Sequence, residues 1–469
     1  MRRSRPVLVT KHVAIAGAGL GGLRAAEQLR AAGHTGPITV VGAEPHMPYN
    51  RPPLSKELLA HELADAEATP EANADDLTAL HQRVAFRHRA SIADVTFRLG
   101  VPVTGVDLRA AGPAGSELAL ADGGAVRFDG LVVATGLRPR RLNVPGPAGP
   151  GSGRHVLRTL DDCASLRAGL RAALAGADAA GSDGFRRPHV VVVGGGFVGC
   201  EVACTALSLG CGVTVVEPAG PPMLRVLGER LARAVQRAHE GAGITFVLGQ
   251  AVIGYAGHDR VTGVVLADGT DTGSARVSGG PAPGAALPAD LVVEAIGSLP
   301  NTEWLAGGGL DLTDGVLCDN SLSAVTSAGP SASVTSASVT SAPVTAVGDV
   351  ARFPNPLFDD VPRRVEHWSM PTDTARRAAA TLHAMMAGDQ VDPNPFRPLP
   401  YFWSDQGDLR LQSFGSPGLA DDVVIAEGDL DELDKGLLAT YHRGGRLVGS
   451  VAFNLPPSRY RALREALLA

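Results

Sequence analysis

Two glycine-rich segments in this chain each lie between a short apolar run and a run with helical spacing. They are VAIAGAGLGG, with Gly17, Gly19 and Gly22, and VVVVGGGFVGCE, with Gly194, Gly196 and Gly199. Glycines at this spacing allow a tight turn after a strand and let the backbone approach a pyrophosphate at the positive end of the following helix. One such segment alone is a weak signal. Two in the same context predict that the chain holds two dinucleotides, an arrangement suited to passing a hydride between them.

A carboxylate follows each segment at the separation that dinucleotide binding requires. The first helix is predicted to begin near Leu20 and to end at Gly33, and the strand ITVV after it leads to Glu44. In the second copy, a helix over 200–209 and a strand over 212–216 lead to Glu217. An acid at this position accepts hydrogen bonds from the ribose hydroxyls. The alternative is a pair of glycine turns in an unrelated α/β protein.

The composition is that of a folded protein with several domains. The 469 residues, of which 45% are hydrophobic, are enough for about three domains with large cores. The net charge of −6 does not indicate a nucleic acid or an anionic membrane as partner. The apolar run after the basic MRRSRP is too short for a signal-peptide core, and no apolar stretch approaches the roughly 20 residues that span a bilayer. We therefore expect a cytoplasmic protein without a membrane partner.

The cysteines indicate packing rather than catalysis. None of the five forms a CxxC pair, and no cysteine–histidine spacing resembles a zinc site, so no metal is predicted. Cys200 and Cys204 lie one turn apart on the second predicted helix, where small apolar residues are expected.

The fold is predicted to be α/β, with two Rossmann-like dinucleotide-binding domains and a C-terminal α+β domain. The predicted boundaries are 1–145 for the first part of the first domain, 146–270 for the second domain, 271–362 for the rest of the first domain, and 363–469 for the C-terminal domain. The run NVPGPAGPGSG marks a linker between the first two. The strand LVVEAIG has the same form as LVVATG, so we expect it to return the chain to the first domain.

A low-complexity loop is predicted over 321–345. This segment contains VTSA three times and has no charge and no large side chain, so it cannot bury enough apolar surface to offset its ordering entropy. It leads into a short predicted strand that is followed by Gly348 and Asp349. Small residues also end the strand LVVATG, where Ala134, Thr135 and Gly136 permit close approach to a ligand.

A series of motifs resembles the FAD-dependent ferredoxin reductases of bacterial oxygenase systems, of the putidaredoxin reductase and biphenyl dioxygenase type. The motifs are GAGLGG, RPPLSK, VVATG, VVGGGFVGCE, the GD of AVGDVARF, and WSDQ, in the family's order. RPPLSK and WSDQ are specific to this family, and the others are shared with glutathione-reductase-like flavoproteins. The resemblance covers nearly the whole chain.

The resemblance implies FAD in the first domain and NADH, in preference to NADPH, in the second. The positions that match FAD-binding residues are Gly17, Gly19, Leu20, Gly22, Glu44, Arg51, Lys56, Val103, Ala134, Thr135, Gly136, Arg140, Gly348, Asp349 and Trp403. The positions that match NAD-binding residues are Gly194, Gly196, Phe197, Val198, Gly199, Glu217 and Gly297. By this resemblance, Glu44 would hold the adenosine ribose, Val103 would offer backbone groups to the adenine, and Asp349 would accept from the ribityl chain.

Lys56, Glu201 and Trp403 are the catalytic candidates that the resemblance implies. Lys56 would lie beside the flavin ring, where an ammonium stabilises negative charge, and Glu201 would approach it near the nicotinamide. Trp403 would lie beside the flavin on the route of electrons to the iron–sulfur partner. The alternative for Lys56 and Glu201 is that they are ordinary surface charges. Glu217 would repel the 2′-phosphate of NADPH, which is the reason to expect NADH.

Two features depart from the family's pattern. Met370 and Thr374 stand where the family usually has asparagine and glutamine, so the side-chain contacts of that helix to the flavin are not carried over. The segment 321–345 lengthens the approach to Gly348. A basic docking patch for an acidic ferredoxin is predicted, with a solvated arginine-rich surface as the alternative. Its candidates are Arg363, Arg364, Arg376, Arg377 and Arg397.

The expected function is electron transfer from NADH through FAD to a [2Fe-2S] ferredoxin that supplies a monooxygenase or dioxygenase. The first alternative is an NADH oxidase, peroxidase or disulfide reductase of the same fold, which the absence of a cysteine after Glu44 disfavours. A reductase for rubredoxin or of the nitrite type, and a flavoprotein resembling apoptosis-inducing factor, are the others. The oligomeric state is left open between a monomer and a homodimer.

Overall fold

The computed structural model describes residues 11–61, 63, 74–108, 115–179, 187–267, 286–326 and 342–469. In chain order, the strands are β1 (Val13–Ala16), β2 (Ile38–Val41), β3 (Thr96–Arg98), β4 (Val103–Asp107), β5 (Ser116–Leu120), β6 (Ala125–Phe128), β7 (Gly130–Val133), β8 (Leu137–Pro139), β9 (Arg154–His155), β10 (His189–Val193), β11 (Gly212–Glu217), β12 (Thr245–Leu248), β13 (Val252–Ala256), β14 (Gly263–Leu266), β15 (Ala286–Pro288), β16 (Leu291–Glu294), β17 (Ser298–Pro300), β18 (Val316–Leu317), β19 (Val344–Ala346), β20 (Ala351–Asn355), β21 (Asp359–Arg364), β22 (Tyr401–Gln406), β23 (Leu409–Gly415), β24 (Asp422–Glu427), β25 (Leu437–Arg443) and β26 (Arg446–Phe453). The helices are α1 (Leu20–Ala31), α2 (Glu57–Ala60), α3 (Ala74–Val84), α4 (Leu160–Ala179), α5 (Phe197–Ser208), α6 (Leu224–Ala242), α7 (Met370–Ala387) and α8 (Tyr460–Leu468).

These elements form two compact units, each built from three stretches of the chain. The first unit comprises Met1–Asn50, Ala85–Arg138 and Pro300–Tyr401. The second comprises Arg51–Val84, Pro139–Leu299 and Phe402–Ala469. Each unit therefore contains one of the two glycine-rich segments.

The first unit is organised around a parallel five-stranded sheet. The strand order is β19-β7-β1-β2-β3, and every neighbouring pair is parallel. β1 lies at the centre and all four of its residues are fully buried. Such continuous apolar strands are typical of parallel sheets that are covered on both faces. α1 follows β1 directly, so the first glycine turn lies at the carboxyl edge of the sheet, where Rossmann folds bind ligands.

The second unit has a parallel five-stranded sheet of its own, together with two further sheets. Its parallel sheet has the order β12-β11-β10-β16-β9. The strands β13, β14 and β15 form a small antiparallel sheet. The C-terminal sheet has the order β22-β23-β26-β25-β24, and its β23–β26, β25–β26 and β24–β25 pairs are antiparallel. The predicted α/β class, with two Rossmann-like domains and a mixed C-terminal domain, is confirmed.

The structure corrects two details of the sequence analysis. The strand LVVEAIG does not return the chain to the first sheet, because β16 pairs in parallel with β10 in the second sheet. The chain returns to the first unit only at Pro300. Helix α5 begins at Phe197, three residues before the predicted start, because Gly196 already acts as its N-cap.

Two expectations can be compared with the structure only over the residues that it describes. Residues 327–341 of the predicted low-complexity loop lie outside the described residues. Within the described ranges, no helix has both the length and the apolar character to cross a membrane.

Candidate functional site

The first glycine turn joins β1 to α1. Gly17 has a left-handed φ of 113°, and a Cβ there would lie 2.1 Å from the carbonyl oxygen of Ala134. A Cβ at Gly22 would lie 1.9 Å from the carbonyl oxygen of Gly17. Gly19 is the N-cap of α1 and Leu20 is its first residue. Only glycine therefore allows the strand, the turn and the helix to pack this closely.

The end of β7 forms the other side of this turn. Thr135 donates its hydroxyl to the carbonyl oxygen of Asn301 at 2.7 Å, and Asn301 Nδ2 donates to the carbonyl oxygen of Thr135 at 3.0 Å. The backbone N–H of Asn301 also donates to the carbonyl oxygen of Gly136 at 3.0 Å. Asn301 thus fixes the backbone of the small-residue segment beside the glycine turn.

The acid predicted to hold a ribose follows β2. Glu44 is half-buried, and its Oε2 accepts the hydroxyl of Tyr49 at 2.5 Å. Its carbonyl oxygen accepts the backbone N–H of Gly100 at 2.9 Å. Because β2 is the neighbour of β1, Glu44 lies at the same sheet edge as the glycine turn. Val103 begins β4 and is half-buried.

The segment after β19 contains Gly348 and Asp349. Gly348 has a φ of 73°, and its backbone N–H donates to Thr374 Oγ at 2.9 Å. Thr374 is fully buried and donates its hydroxyl in turn to the carbonyl oxygen of Met370 at 2.5 Å. The departure noted at Met370 and Thr374 therefore has a structural role, since Thr374 holds the turn that presents Asp349.

The second glycine turn joins β10 to α5. Gly194 has a φ of 106°, and a Cβ there would lie 2.4 Å from the carbonyl oxygen of Ala295. A Cβ at Gly199 would lie 2.1 Å from the carbonyl oxygen of Gly194. At Gly196, the N-cap of α5, a Cβ would meet no atom within 4 Å. Gly194 and Gly199 are thus required by packing, whereas Gly196 faces open space.

Glu217, the last residue of β11, is bonded to this turn. Its Oε2 accepts the backbone N–H of Gly195 at 2.8 Å, and its Oε1 accepts the backbone N–H of Ala219 at 2.8 Å. Each carboxylate oxygen can accept a further hydrogen bond. The acid is therefore held in one orientation beside the glycine turn, with acceptor capacity left for a ribose.

The remaining NAD-binding candidates border the same turn. Phe197 is the first residue of α5, and Val198 after it is 43% exposed. Gly297 follows β16 with a φ of 96°, and its carbonyl oxygen accepts the backbone N–H of Arg140 at 2.9 Å.

Lys56 and Glu201 form a buried ion pair within the second unit. Lys56 Nζ lies 2.7 Å from Glu201 Oε2, and the two side chains are 14% and 7% exposed. Ser55 donates its hydroxyl to the same Oε2 at 2.5 Å, and Ser404 donates to Oε1 at 2.6 Å. The alternative that Lys56 and Glu201 are ordinary surface charges is therefore wrong.

The structure distributes the predicted FAD-binding residues over both units. Arg51, Lys56, Arg140 and Trp403 belong to the second unit. Arg51 Nη1 donates to the carbonyl oxygen of Arg158 at 2.6 Å. The other predicted FAD-binding residues belong to the first unit, where the contacts above bring the glycine turn and the end of β7 together.

The cysteines do not form a redox site. All five are free, and burial raises the pKa of Cys163 and Cys204 to about 12 and that of Cys211 to about 11. Burial also raises the pKa values of Cys200 and Cys318 above the ordinary range. Protonated thiols are poor nucleophiles. Among the described residues, no three histidine, cysteine or acidic side chains are grouped as metal ligands would be.

The predicted basic docking patch is largely neutralised. Four of its five arginines pair with acids of the first unit: Arg363 with Asp359, Arg364 with Asp314 and Glu366, Arg376 with Asp373, and Arg377 with Asp392. The side chains of Arg364 and Arg377 are only 13% and 11% exposed. The expectation of a docking role, which came from clustering alone, is therefore wrong for these two arginines, whereas Arg376 and Arg397 are exposed.

The residues present at both glycine turns fit a dinucleotide. The N-caps of α1 and α5 are extended glycines, and in the described ranges that contain them no side chain makes a capping bond to either helix. The amides at such helix ends form a natural anion site. The acids Glu44 and Glu217 lie at the matching strand ends, so each turn offers groups for a pyrophosphate and a ribose.

Several residues with a part in the site were missed from the sequence. Asn301 follows the recognised strand LVVEAIG in SLPN, and Ser404 and Gln406 belong to WSDQ, which was recognised without a role for either side chain. Nothing in the sequence marked Tyr49 or Thr374 as a site residue, apart from the position of Tyr49 near Glu44 and that of Thr374 on the helix that departs from the family's pattern. Asn301, Ser404 and Gln406 bond to residues far away in the chain, so only the fold brings those contacts together, whereas Tyr49 bonds to Glu44 only five residues before it.

Comparison with known proteins agrees with this description. Residues 11–377 match the model of the pyridine nucleotide-disulphide oxidoreductase family, and residues 401–469 match the reductase C-terminal family. The ferredoxin–NAD(+) reductase component of the anthranilate 1,2-dioxygenase system of Burkholderia cepacia is 32% identical over 94% of this chain and 90% of its own. Putidaredoxin reductase of Pseudomonas putida is 31% identical over 95% of this chain and 89% of its own.

A solved structure shows the same fold. The covalent complex of putidaredoxin reductase with putidaredoxin contains a chain that superimposes with a TM-score of 0.74 at 28% identity, covering 97% of this chain and 93% of that one. The resemblance found in the sequence to ferredoxin reductases of oxygenase systems is confirmed. The chain therefore belongs to the pyridine nucleotide-disulphide oxidoreductase family and carries a reductase C-terminal domain.

Proposed function

We propose that the protein is a reductase that passes electrons from NADH, through bound FAD, to a small [2Fe-2S] ferredoxin that supplies a monooxygenase or dioxygenase. The main support is the match, over nearly the whole chain, to reductase components whose names specify a ferredoxin and NAD(+). The two dinucleotide turns and the buried Lys56–Glu201 pair are the geometry that such a function needs.

FAD is proposed for the glycine turn of the first unit. Gly17, Gly19 and Gly22 would receive its pyrophosphate at the N-terminus of α1, and Glu44 would hold its adenosine ribose. Asp349 would accept from its ribityl hydroxyls. A bound flavin supplies the conversion of a two-electron hydride donor into two single electrons, which a [2Fe-2S] cluster requires.

NADH is proposed for the glycine turn of the second unit. Gly194, Gly196 and Gly199 would receive the pyrophosphate, and Glu217, which Gly195 and Ala219 already orient, would accept the ribose hydroxyls. Glu201 lies five residues after the N-cap Gly196 and is paired with Lys56, so we assign this pair to the nicotinamide end. Trp403 is proposed to serve the electron route to the ferredoxin.

The alternative of a disulfide reductase or peroxidase has no comparable support. Such enzymes need a reactive thiolate, and burial raises the pKa of every cysteine in this chain. The proposal is tested by extracting and identifying the flavin of the purified protein and assaying anaerobic NADH-dependent reduction of [2Fe-2S] ferredoxins. A flavin other than FAD, or peroxide or disulfide turnover faster than ferredoxin reduction, would overturn it.

A further inference from the structure

Glu201 lies at the end of a buried series of hydrogen bonds that extends away from the Lys56 pair. Ser404 donates to Glu201 Oε1, and Gln406 Nε2 donates to Ser404 Oγ at 3.0 Å. Gln406 Oε1 lies 2.8 Å from His239 Nε2, and His239 Nδ1 lies 3.7 Å from the sulfur of Cys204. All of these residues belong to the second unit.

The direction of each bond in this series follows from the donors and acceptors. The ion-paired carboxylate can only accept, so Ser404 must use its single O–H on Glu201 and must accept from the amide group of Gln406. The amide oxygen of Gln406 then faces His239, which must donate from Nε2. Burial lowers the pKa of His239, and burial raises the pKa of Cys204 to about 12, so the neutral ring can accept at Nδ1 from the thiol. Every donor in the series therefore points towards Glu201.

Strand β22 presents these groups to α5 along one face. Alternation along a strand places Phe402, Ser404 and Gln406 on one face and Trp403 on the other. Phe402 packs edge-on against Phe197, with ring centroids 4.8 Å apart. Phe197 and Glu201 are four residues apart on α5 and share one side of the helix. Phe402 and Ser404 thus hold two successive turns of α5 directly after the glycine turn.

We infer that Ser404, with Gln406 behind it, is a positioning residue that holds the Glu201 carboxylate, and through it the Lys56 ammonium, in the orientation used at the nicotinamide end of bound NADH. This inference rests on the proposed function. Ser404 and Gln406 are 0% and 3% exposed, so neither is placed to touch the ligand itself. Their effect is exerted through Glu201, whose other partners among the described residues, Ser55 and Lys56, both bond to the second carboxylate oxygen.

The test compares two ligands that differ at the nicotinamide end. NAD⁺ carries nicotinamide, whereas ADP-ribose carries only the part held by the glycine turn and Glu217. The dissociation constant of each is measured by calorimetry on the purified protein with its flavin bound. Ser404→Ala is expected to weaken NAD⁺ binding roughly fivefold or more, because a hydrogen bond to a charged group is lost, and to leave ADP-ribose binding within about twofold.

Three variants separate positioning from a general loss of structure. Ser404→Thr keeps the hydroxyl and is expected to restore NAD⁺ affinity. Ser413→Ala removes a buried hydroxyl of the same sheet whose Oγ has no hydrogen-bond partner in the part of the chain that the structure describes, and it is expected to leave the affinity for both ligands unchanged. If Ser404→Ala does not fold, Gln406→Met is used instead, because it removes the amide group that donates to Ser404. This variant is expected to weaken NAD⁺ binding less than Ser404→Ala does, and again to leave ADP-ribose binding nearly unchanged.

A double-mutant cycle with Glu201→Gln decides whether Ser404 acts through Glu201. Ser404→Ala is expected to have no further effect on NAD⁺ affinity in the Glu201→Gln protein. Equal weakening of NAD⁺ and ADP-ribose, or full additivity with Glu201→Gln, would overturn the inference. Failure of the proposed function is a separate result. If the protein shows this binding pattern but does not reduce ferredoxins, the assignment of ferredoxin as the electron acceptor is wrong, and the role of Ser404 stands.

Discussion

Glu217 accepts the backbone N–H of Gly195 at 2.8 Å, so the acid at the end of β11 is bonded directly to the second glycine turn. The other carboxylate oxygen is held by Ala219 N–H, and the side chain therefore keeps a fixed place. A ribose bound at this turn meets a preorganised carboxylate. A 2′-phosphate at the same place would meet a negative charge that cannot easily turn away.

The first prediction concerns the choice of coenzyme. Wild-type protein is expected to use NADH with at least a roughly fivefold higher kcat/KM than NADPH, since two like charges about 4 Å apart repel by about 1 kcal/mol even in water-like surroundings. Glu217→Gln keeps the size of the side chain and removes the charge, so it should lower the ratio of kcat/KM with NADH to kcat/KM with NADPH. Steady-state kinetics with both coenzymes measures it, and a higher kcat/KM with NADPH in the wild type contradicts the assignment.

The second prediction compares two glycines of one turn. Gly199→Ala should lower the free energy of unfolding by several kcal/mol, because the new Cβ would lie 2.1 Å from the carbonyl oxygen of Gly194. Gly196→Ala has open space around its Cβ and should cost at most about 1 kcal/mol of stability as an N-cap change.

Ligand affinity separates the same two positions. A Cβ at Gly196 would stand where the pyrophosphate is proposed to approach, so NADH affinity should fall although the protein stays folded. Chemical denaturation and calorimetry on both variants measure the two effects. Unchanged NADH affinity in Gly196→Ala would show that the coenzyme does not use this turn.

The third prediction concerns a buried ion pair between two neighbouring strands of the second parallel sheet, β9 and β16. Arg154 Nη2 lies 2.7 Å from Glu294 Oε1, and the Tyr255 hydroxyl donates to the same oxygen at 2.6 Å. The side chain of Glu294 is fully buried. Arg154→Met is expected to destabilise the second unit by about 3–5 kcal/mol, because it leaves an uncompensated buried charge.

The matched control removes both charges. Arg154→Met combined with Glu294→Leu should recover part of the lost free energy of unfolding, since no uncompensated charge is left buried, while the Tyr255 hydroxyl loses its acceptor. Urea denaturation of the wild type, the single variant and the double variant tests this. A double variant less stable than the single one would show that Glu294 has other partners that matter more.

The fourth prediction is a dependence of stability on pH that involves His155. Burial lowers the pKa of His155 from 6.5 to about 4, with Arg141 and Arg260 acting in the same direction. Below pH 6.5 the unfolded chain binds a proton at this histidine that the folded protein does not, so stability falls as the pH falls towards 4. The loss amounts to at most about 3 kcal/mol.

Replacing the histidine isolates its share of the acid sensitivity. His155→Gln cannot take up the proton and should give a shallower fall in unfolding free energy over the same pH interval. The carboxylates titrate equally in both proteins, so the difference between the two curves reports His155 alone. If unfolding free energy depends on pH in the same way in both proteins, folding does not lower the pKa of His155 and the prediction is wrong.

The parts of the fold that depend on local pattern could be predicted from the sequence. Gly17, Gly22, Gly194 and Gly199 occupy the close approaches that the glycine spacing predicted, because a tight strand–turn–helix connection leaves no room for a side chain. Sheet membership was harder to predict. LVVEAIG and LVVATG have the same apolar form, and only the pairing of β16 with β10 shows that the former belongs to the second sheet.

Most contacts between residues far apart in the chain could not be predicted from the sequence. The approach of Lys56 to Glu201 was expected from the family resemblance, but their burial and the bond from Ser404 to Glu201 depend on how α5 and β22 pack. The same holds for two arginines of the predicted docking patch, Arg364 in β21 and Arg377 in α7. Arg364 and Arg377 look like free positive charges in the sequence, yet Asp314 approaches Arg364 and Asp392 approaches Arg377 only in the folded first unit.

The proposed electron transfer is tested most directly by anaerobic stopped-flow measurement in two stages. The purified protein is first mixed with NADH while the flavin absorbance is followed, and the reduced protein is then mixed with an oxidised [2Fe-2S] ferredoxin. The account predicts rapid loss of the flavin absorbance, followed by reduction of the iron–sulfur cluster, with two ferredoxins reduced for each NADH consumed. The proposed electron transfer is contradicted if NADH does not reduce the flavin. It is also contradicted if the reduced protein reduces none of the [2Fe-2S] ferredoxins tested while oxygen or disulfides oxidise the protein readily.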